Sequence, residues 1–190
     1  MKYSFGRTGW SADDLAYAYT LRFAATPTFI QHDDHIENPP EPANPDGYSY
    51  ISLITKEKWT PNVKLTTHCS FTDVAAPLVV LPKTLYEKDG KLYYGDYLEV
   101  VIWKNGINVW KLWLQADGSV KYHNLLKLET PLAPDVIHNF SVEIRESYFV
   151  ITLDEHRVTL RCEDIFDSFH LGITGCEGPC RFYDMQIESL

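Results

Sequence analysis

The chain has 190 residues, 45% of them hydrophobic and 23% charged, the balance of a soluble globular protein long enough to enclose a sizeable core. Its formal net charge of −9 argues against nucleic acid as a partner, because an acidic surface repels phosphate. No stretch approaches the roughly 20 apolar residues of a membrane helix, so no membrane partner is expected.

In chain order, residues 1–10 hold no apolar run after Lys2 and do not read as a secretory leader. A cytoplasmic protein is expected, with a piece of a longer secreted chain as the alternative. Residues 15–24 read as a strand, and 29–36 as a more polar one. Residues 38–48 contain four prolines, which exclude helix and central strand and predict a long surface loop. That loop is not a domain linker, because the piece before it is too short to bury a core alone; one domain spanning residues 1–190 is expected.

Strand-like runs follow at 51–55, 63–72, 76–81, 94–103, 107–115, 120–126, 139–145, 148–154, 156–161, 169–174 and 181–188. The run 76–81 is wholly apolar and reads as a buried strand. Turn signals separate the runs. Asn105-Gly106 predicts a two-residue hairpin turn with positive φ at both positions; Asp89-Gly90 and Asp117-Gly118 are of the same kind. Helix signals are nearly absent: one short turn is a candidate at 163–169, and 11–18 after a Ser11 cap is the only other, although 17–23 reads better as strand. Short strands and Gly-containing turns predict an all-β fold, a two-sheet sandwich or barrel. Alternation assigns Val100, Trp113, Phe140, Val142, Ile144, Ile151, Leu153, Ile173 and Ile187 to the core.

The second half carries a resemblance. Residues 138–145 read His-Asn-Phe-Ser-Val-Glu-Ile-Arg, 148–154 Tyr-Phe-Val-Ile-Thr-Leu-Asp, 169–175 Phe-His-Leu-Gly-Ile-Thr-Gly, and 181–188 Arg-Phe-Tyr-Asp-Met-Gln-Ile-Glu. In this order, with a short turn at Asp154-Glu155-His156, the stretch from about residue 63 to 190 resembles the concanavalin A-like lectin/glucanase superfamily, in particular its laminin-G-like members. The resemblance implies an antiparallel jelly-roll sandwich. It also implies a range of functions, from lectins and carbohydrate-binding modules to glycosidases, polysaccharide lyases and adhesion domains. The Glu-x-Asp-x-x-Glu and Glu-x-Asp-x-Glu strings of family-16-type glycosidases are absent, as are the Arg-rich and Gln-x-His strings of the alginate-lyase relatives. Those catalytic assignments are not carried over.

The hairpin over 94–115 is the most informative segment for function. A turn at Asn105-Gly106 would pair Lys104 with Ile107, Trp103 with Asn108, Val101 with Trp110, Glu99 with Leu112 and Tyr97 with Leu114. One face then carries Leu98, Val100, Ile102, Val109 and Trp113, the better core. The other presents Tyr97, Glu99, Trp103, Asn108 and Trp110. Indoles stack on the C–H face of sugar rings, and a carboxylate and an amide bond hydroxyls, so this set is the candidate ligand-binding surface for a carbohydrate. The alternative is that Trp103 and Trp110 pack under a loop or against the second sheet.

Glu99 is the candidate catalytic carboxylate if the protein is an enzyme. Asp34 and Glu143 are the partners considered for it, at the roughly 5 to 9.5 Å separation glycosidases need. His68, on an alternating polar face with Lys64, Thr66 and Ser70, would make an acid/base pair with Glu99 if their strands adjoined.

His32-Asp33-Asp34-His35 is the densest group of ligand-type residues. On one strand, His32 and Asp34 would share one side and Asp33 and His35 the other. A solvated, charged edge strand is the reading preferred over a metal site. Cys176 and Cys180 bracket a Glu-Gly-Pro turn. They are read as structural thiols and not zinc ligands, because a single pair is present. No metal or cofactor is called for. A lectin-like carbohydrate-binding protein is the leading expectation, a glycoside hydrolase or lyase the next, and a protein-interaction domain or homodimer burying Trp103 and Trp110 the third.

Overall fold

The structure, a computed structural model, describes residues 1–8, 10–21, 28–41 and 44–190, and the side chains of all of these except 41 and 44–48. In chain order the strands are β1 (Lys2–Ser4), β2 (Leu15–Tyr19), β3 (Ile30–Gln31), β4 (Ile36–Glu37), β5 (Pro40–Glu41), β6 (Asn44–Tyr48), β7 (Ile51–Thr55) and β8 (Val63–Phe71). Then come β9 (Ala76–Pro82), β10 (Leu85–Lys88), β11 (Lys91–Tyr94), β12 (Tyr97–Trp103), β13 (Gly106–Leu114) and β14 (Val120–Glu129). The last are β15 (His138–Ile144), β16 (Tyr148–Leu153), β17 (His156–Arg161), β18 (Gly172–Cys176), β19 (Cys180–Phe182) and β20 (Asp184–Ser189). Among the described residues there is no helix; residues 163–168 hold only turns, bends and irregular backbone, and Phe169 forms an isolated antiparallel bridge with Trp59.

The strands form two large sheets. One runs β17-β16-β15-β8-β19-β4-β3, with β20 pairing both β1 and β8. The other runs β10-β11-β2-β7-β18-β9-β12-β13-β14. Pairing is antiparallel except between β11 and β2, where Leu92 and Tyr93 lie parallel to Ala18 and Tyr19. That exception arises because the β10–β11 hairpin leaves β9 in mid-sheet and closes the far edge.

Between the sheets lies the main core. Leu65, Phe71, Phe140, Val142, Ile144, Ile151, Leu153 and Ile187 from the first sheet meet Ile51, Leu53, Val79, Leu81, Leu98, Val100, Ile102, Val109 and Ile173 from the second. Alternation along each strand supplies these positions, as period two requires. All the residues assigned to the core from sequence are buried there except Trp113. The Trp113 ring is half-buried near the end of β13 and lies under the Lys111 ammonium, 6.0 Å from its centroid.

Residues 38–48 are not simply a loop, because β5 and β6 pair across the segment. The strand expected over 15–24 is realised as β2; residues 22–24 of it lie outside the described residues. Strands β1, β10 and β11 were not expected, being short or interrupted by charge.

The β12–β13 hairpin corrects the predicted register. Trp103 pairs with Gly106, Val101 with Asn108, Glu99 with Trp110 and Tyr97 with Leu112. The turn residues are therefore Lys104-Asn105, and only Gly106 has positive φ, at 142°. Glycine is needed there because β14 crosses against it: a Cβ would stand 1.9 Å from the Leu128 carbonyl oxygen. A slip of two places leaves side-chain parity unchanged, so both faces of the hairpin keep the membership expected of them.

Ile144 is wholly enclosed between the sheets. Truncation to Ala should cost about 2–5 kcal/mol in a urea-unfolding experiment, through lost burial plus the cavity left behind. A loss near zero would mean that this face of β15 is not the core face.

Candidate functional site

The central strands of the second sheet, β7, β18, β9 and most of β12, are buried on both faces. On the side away from the main core, Ala18, Tyr50, Ile54, Ala76, Leu78, Val80, Tyr94, Tyr97, Val101, Leu112 and Cys176 form a second apolar cluster. A cleft of about 400 Å³ opens over this cluster. Glu99, Trp103, Asn108, Trp110, Tyr50, Tyr122 and Glu177 line it, over a floor of Ala76, Leu78, Val101, Leu112 and Cys176.

Four of the five residues expected to share a surface thus meet at this cleft. Trp103, Asn108 and Trp110 are half-buried on its wall, while Glu99 is only 5% exposed. The indoles neither enter the main core nor pack against the other sheet. Tyr97 is the exception. It is fully buried, edge-on to Tyr94 with ring centroids 4.6 Å apart, and cannot touch a ligand at the surface.

Local structure explains the placement. Between Val109 and Trp110 the β13–β14 register slips, Trp110 pairing with Asn124 after Val109 has paired with Leu126. The Asn124 amide spans the bulge by donating to the carbonyls of Val109 and Leu126, at 3.4 and 3.1 Å. Bulges re-aim side chains and sharpen twist. Here the result is an edge-to-face pair of Trp110 and Tyr122, 5.9 Å apart at 73°. In the orientation that satisfies both of its polar atoms, the Asn108 side-chain oxygen accepts from Trp103 Nε1 at 3.2 Å.

Beneath the cleft runs a buried polar system. Tyr50 Oη donates to Glu99 Oε2 at 2.8 Å. Ser52 Oγ lies 2.7 Å from Thr174 Oγ1 and 3.2 Å from Tyr94 Oη. Burial, reinforced by the Glu99 carboxylate, pushes the Tyr50 phenol well above its ordinary value, and burial does the same for Tyr94. Tyr50 therefore remains an O–H donor that can orient Glu99.

The partners considered for Glu99 lie elsewhere. Glu143 is on β15 of the opposite sheet, where its Oε2 accepts from Arg145 at 3.2 Å. Asp34 sits in the β3–β4 turn at the edge of that sheet, bonded to His35. His68 is also on the opposite sheet, exposed, with its Nδ1 2.7 Å from Asp184 Oδ2. The acid/base pair of His68 and Glu99 does not form, because β8 and β12 belong to different sheets.

Glu177 supplies the second carboxylate that lines the cleft. It is exposed, with φ of 65°, in the turn between β18 and β19. Cys176 and Cys180 flank that turn as expected, with no disulfide between them. The Cys180 backbone N–H donates to Asn38 Oδ1 at 2.7 Å, and Asn38 Nδ2 donates to the carbonyls of Gly178 and Ser49, both at 3.0 Å. One buried amide thus fixes the turn that presents Glu177. The segment Cys-Glu-Gly-Pro-Cys draws attention to its cysteines, although its acid is the residue at the cleft. Tyr50 and Tyr122 were also missed: one follows the proline-rich segment, and the other lies in a run that shows little apolar alternation.

The sequence matches no family model and no curated protein. Solved structures are similar at the level of fold. The carbohydrate-binding module CBM66 from Bacillus subtilis is 12% identical, with a TM-score of 0.61 over 85% of this chain and 91% of that one. A chain described with human gut microbiota endo-acting O-glycanases that initiate mucin breakdown is 11% identical, with a TM-score of 0.65 over 100% and 98%. β-Agarase A, solved with oligoagarose, is 8% identical, with a TM-score of 0.62 over 98% of this chain and 82% of that one. The likeness reaches into the N-terminal third, beyond the stretch in which sequence alone shows it.

The buried phenols make stability fall at alkaline pH. In the unfolded chain a tyrosine ionises near pH 10. Tyr50 and Tyr94 ionise higher when folded, so their contribution is complete below about pH 10 and is lost as pH rises through the raised folded values. Cys69 and Cys180 act in the same sense from about pH 8.5, their thiols being raised by burial, that of Cys180 to about 12. Urea unfolding at stepped pH should show stability declining from about pH 8.5 upward. Tyr50→Phe and Tyr94→Phe should flatten the part of that slope above about pH 10; an unchanged slope in both would contradict the assigned burial. The fold that carries this cleft is a concanavalin A-like jelly-roll sandwich.

Proposed function

We propose that the protein binds carbohydrate in the cleft over the second sheet. The observation that carries this reading is two half-exposed indoles, Trp103 and Trp110, beside a carboxylate, Glu99, that a buried phenol holds in place. Stacking of a sugar ring on an indole supplies contact area without demanding a fixed pattern of hydroxyls, while Glu99 and Asn108 select orientation by accepting and donating hydrogen bonds. The described neighbours support the reading from their own side, one being a carbohydrate-binding module and another an agarase solved with its oligosaccharide. A concave cleft suits a chain of sugar rings better than the flat patch a homodimer would bury.

A second reading rests on Glu177. With Glu99 it gives one cleft two carboxylates, one buried and one exposed, the minimum equipment for glycoside hydrolysis. Burial and a phenol partner differentiate Glu99 from the solvated Glu177, the kind of contrast that separates an acid from a nucleophile or base.

One set of variants tests both readings. In a glycan screen followed by calorimetry, Trp110→Ala should weaken binding at least tenfold, about 1.4 kcal/mol, with the melting temperature nearly kept. If Trp110→Ala instead unfolds the chain or leaves affinity untouched, the indole is structural. Hydrolysis of the bound glycan that disappears in both Glu99→Gln and Glu177→Gln, with binding retained, would establish the enzyme; no turnover in the unmutated protein leaves the binding module.

A further inference from the structure

We propose that the β3–β4 hairpin is a binding site for a zinc-like divalent ion, held by His32, His35 and Glu37. The run His32-Asp33-Asp34-His35 is not one strand with alternating sides. It is a tight turn, closed by the His32 N–H donating to the His35 carbonyl at 2.9 Å. Beyond it, Gln31 pairs with Ile36 and Ile30 with Glu37. Cross-strand pairing puts His32 opposite His35, and period two puts Glu37 on the same side as His35. The three side chains accordingly converge, each offering one ligand atom, with all three atoms within 4.8 Å of one another.

Four further features fit an ion. The two imidazoles are stacked, ring centroids 4.5 Å apart and planes 13° from parallel. His32 Nε2 is buried and has no hydrogen-bond partner, a costly state for a ring nitrogen unless something fills the gap. His35 Nδ1 is 2.7 Å from Asp34 Oδ1, so the carboxylate accepts its proton and leaves Nε2 with a free lone pair. Glu37 Oε2 accepts from Arg181 Nε at 2.9 Å, which fixes the carboxylate and leaves Oε1 for the ion.

The scaffold is ordered in advance. Gln31 Nε2 donates to the carbonyls of Phe5 and His32 at 2.7 Å and of His35 at 3.2 Å, while Gln31 Oε1 accepts from Trp10 Nε1 at 3.0 Å. The turn is therefore pinned from below, with both imidazoles on top. Two imidazole nitrogens and one carboxylate oxygen suit zinc, with a water completing the tetrahedron, and are poor for calcium, which takes oxygen ligands.

The test is calorimetric titration of the full chain, stripped with chelator, with zinc chloride and separately with calcium chloride. One saturable equivalent of zinc and no calcium are expected. His32→Ala and His35→Ala should each weaken zinc binding at least tenfold, and Asp34→Ala about tenfold through the lost orienting bond. His68→Ala, which removes an exposed imidazole on the same sheet, should leave affinity unchanged. Cobalt(II) absorption of the unmutated chain provides a second readout, free of any folding defect in the variants: a strong tetrahedral visible band that zinc displaces is expected. No saturable zinc binding, full affinity in His32→Ala and His35→Ala, an equal loss in His68→Ala, or only a weak octahedral cobalt spectrum would each overturn the site. Because the hairpin is separate from the cleft, none of these outcomes bears on carbohydrate binding.

Discussion

The constraint on which the rest of the structure depends is that the central strands of the second sheet, β7, β18, β9 and most of β12, are buried on both faces. Strands β9 and β12 run through its middle, and every residue of β9 is buried. On β12, even positions fill the space between the sheets, while of the odd positions Glu99, Val101 and Trp103 build the floor and wall of the cleft. A strand in that position has no solvent-facing side to absorb substitutions. Its odd face is consequently a graded surface, passing from fully enclosed Tyr97 through nearly enclosed Glu99 to half-open Trp103. The polar groups along it can be buried only because they bond one another, as Tyr50 does Glu99 and Ser52 does Thr174.

Much of this was legible in the sequence, and for a physical reason. Period-two alternation is a local property, so Phe140, Val142 and Ile144 announce their side without knowledge of the neighbouring strand. The same holds for the β12–β13 hairpin, whose faces survived a wrong register because the error was an even number of places. What failed was whatever depends on a third strand. Gly106 reads as a turn glycine, yet it is required by the approach of β14. Trp113 carries the parity of the core but lies near the end of β13, where little is left to cover it. Tyr97 has the parity of the cleft but is closed over by Tyr94.

The candidate site shows the same division. Residues on one hairpin, Glu99, Trp103, Asn108 and Trp110, could be grouped from spacing alone. Tyr50, Tyr122 and Glu177 arrive from β14 and from the ends of two other segments, and no pattern in the chain links them to Glu99. The reverse error occurred with His68, Asp34 and Glu143, chosen for chemistry and found on the other sheet. At His32 and His35 a polar run was read as extended, whereas two acidic residues between the histidines form a reversal that brings the rings face to face.

The Asn38 amide couples two positions outside the cleft to the turn that forms its rim. Asn38 bonds the backbone of the Cys176–Cys180 turn at Gly178 and Cys180, and it also packs against Gly175 so closely that a Cβ there would come within 2.7 Å of its side chain. Neither residue borders the cleft, yet together they set where Glu177 stands. Among diverging relatives, positions 38 and 175 should therefore vary as a couple, and loops transplanted into 177–179 should keep their shape only when that couple travels with them. Drift in the shape of the cleft can then begin at two sites that a survey of its lining would pass over.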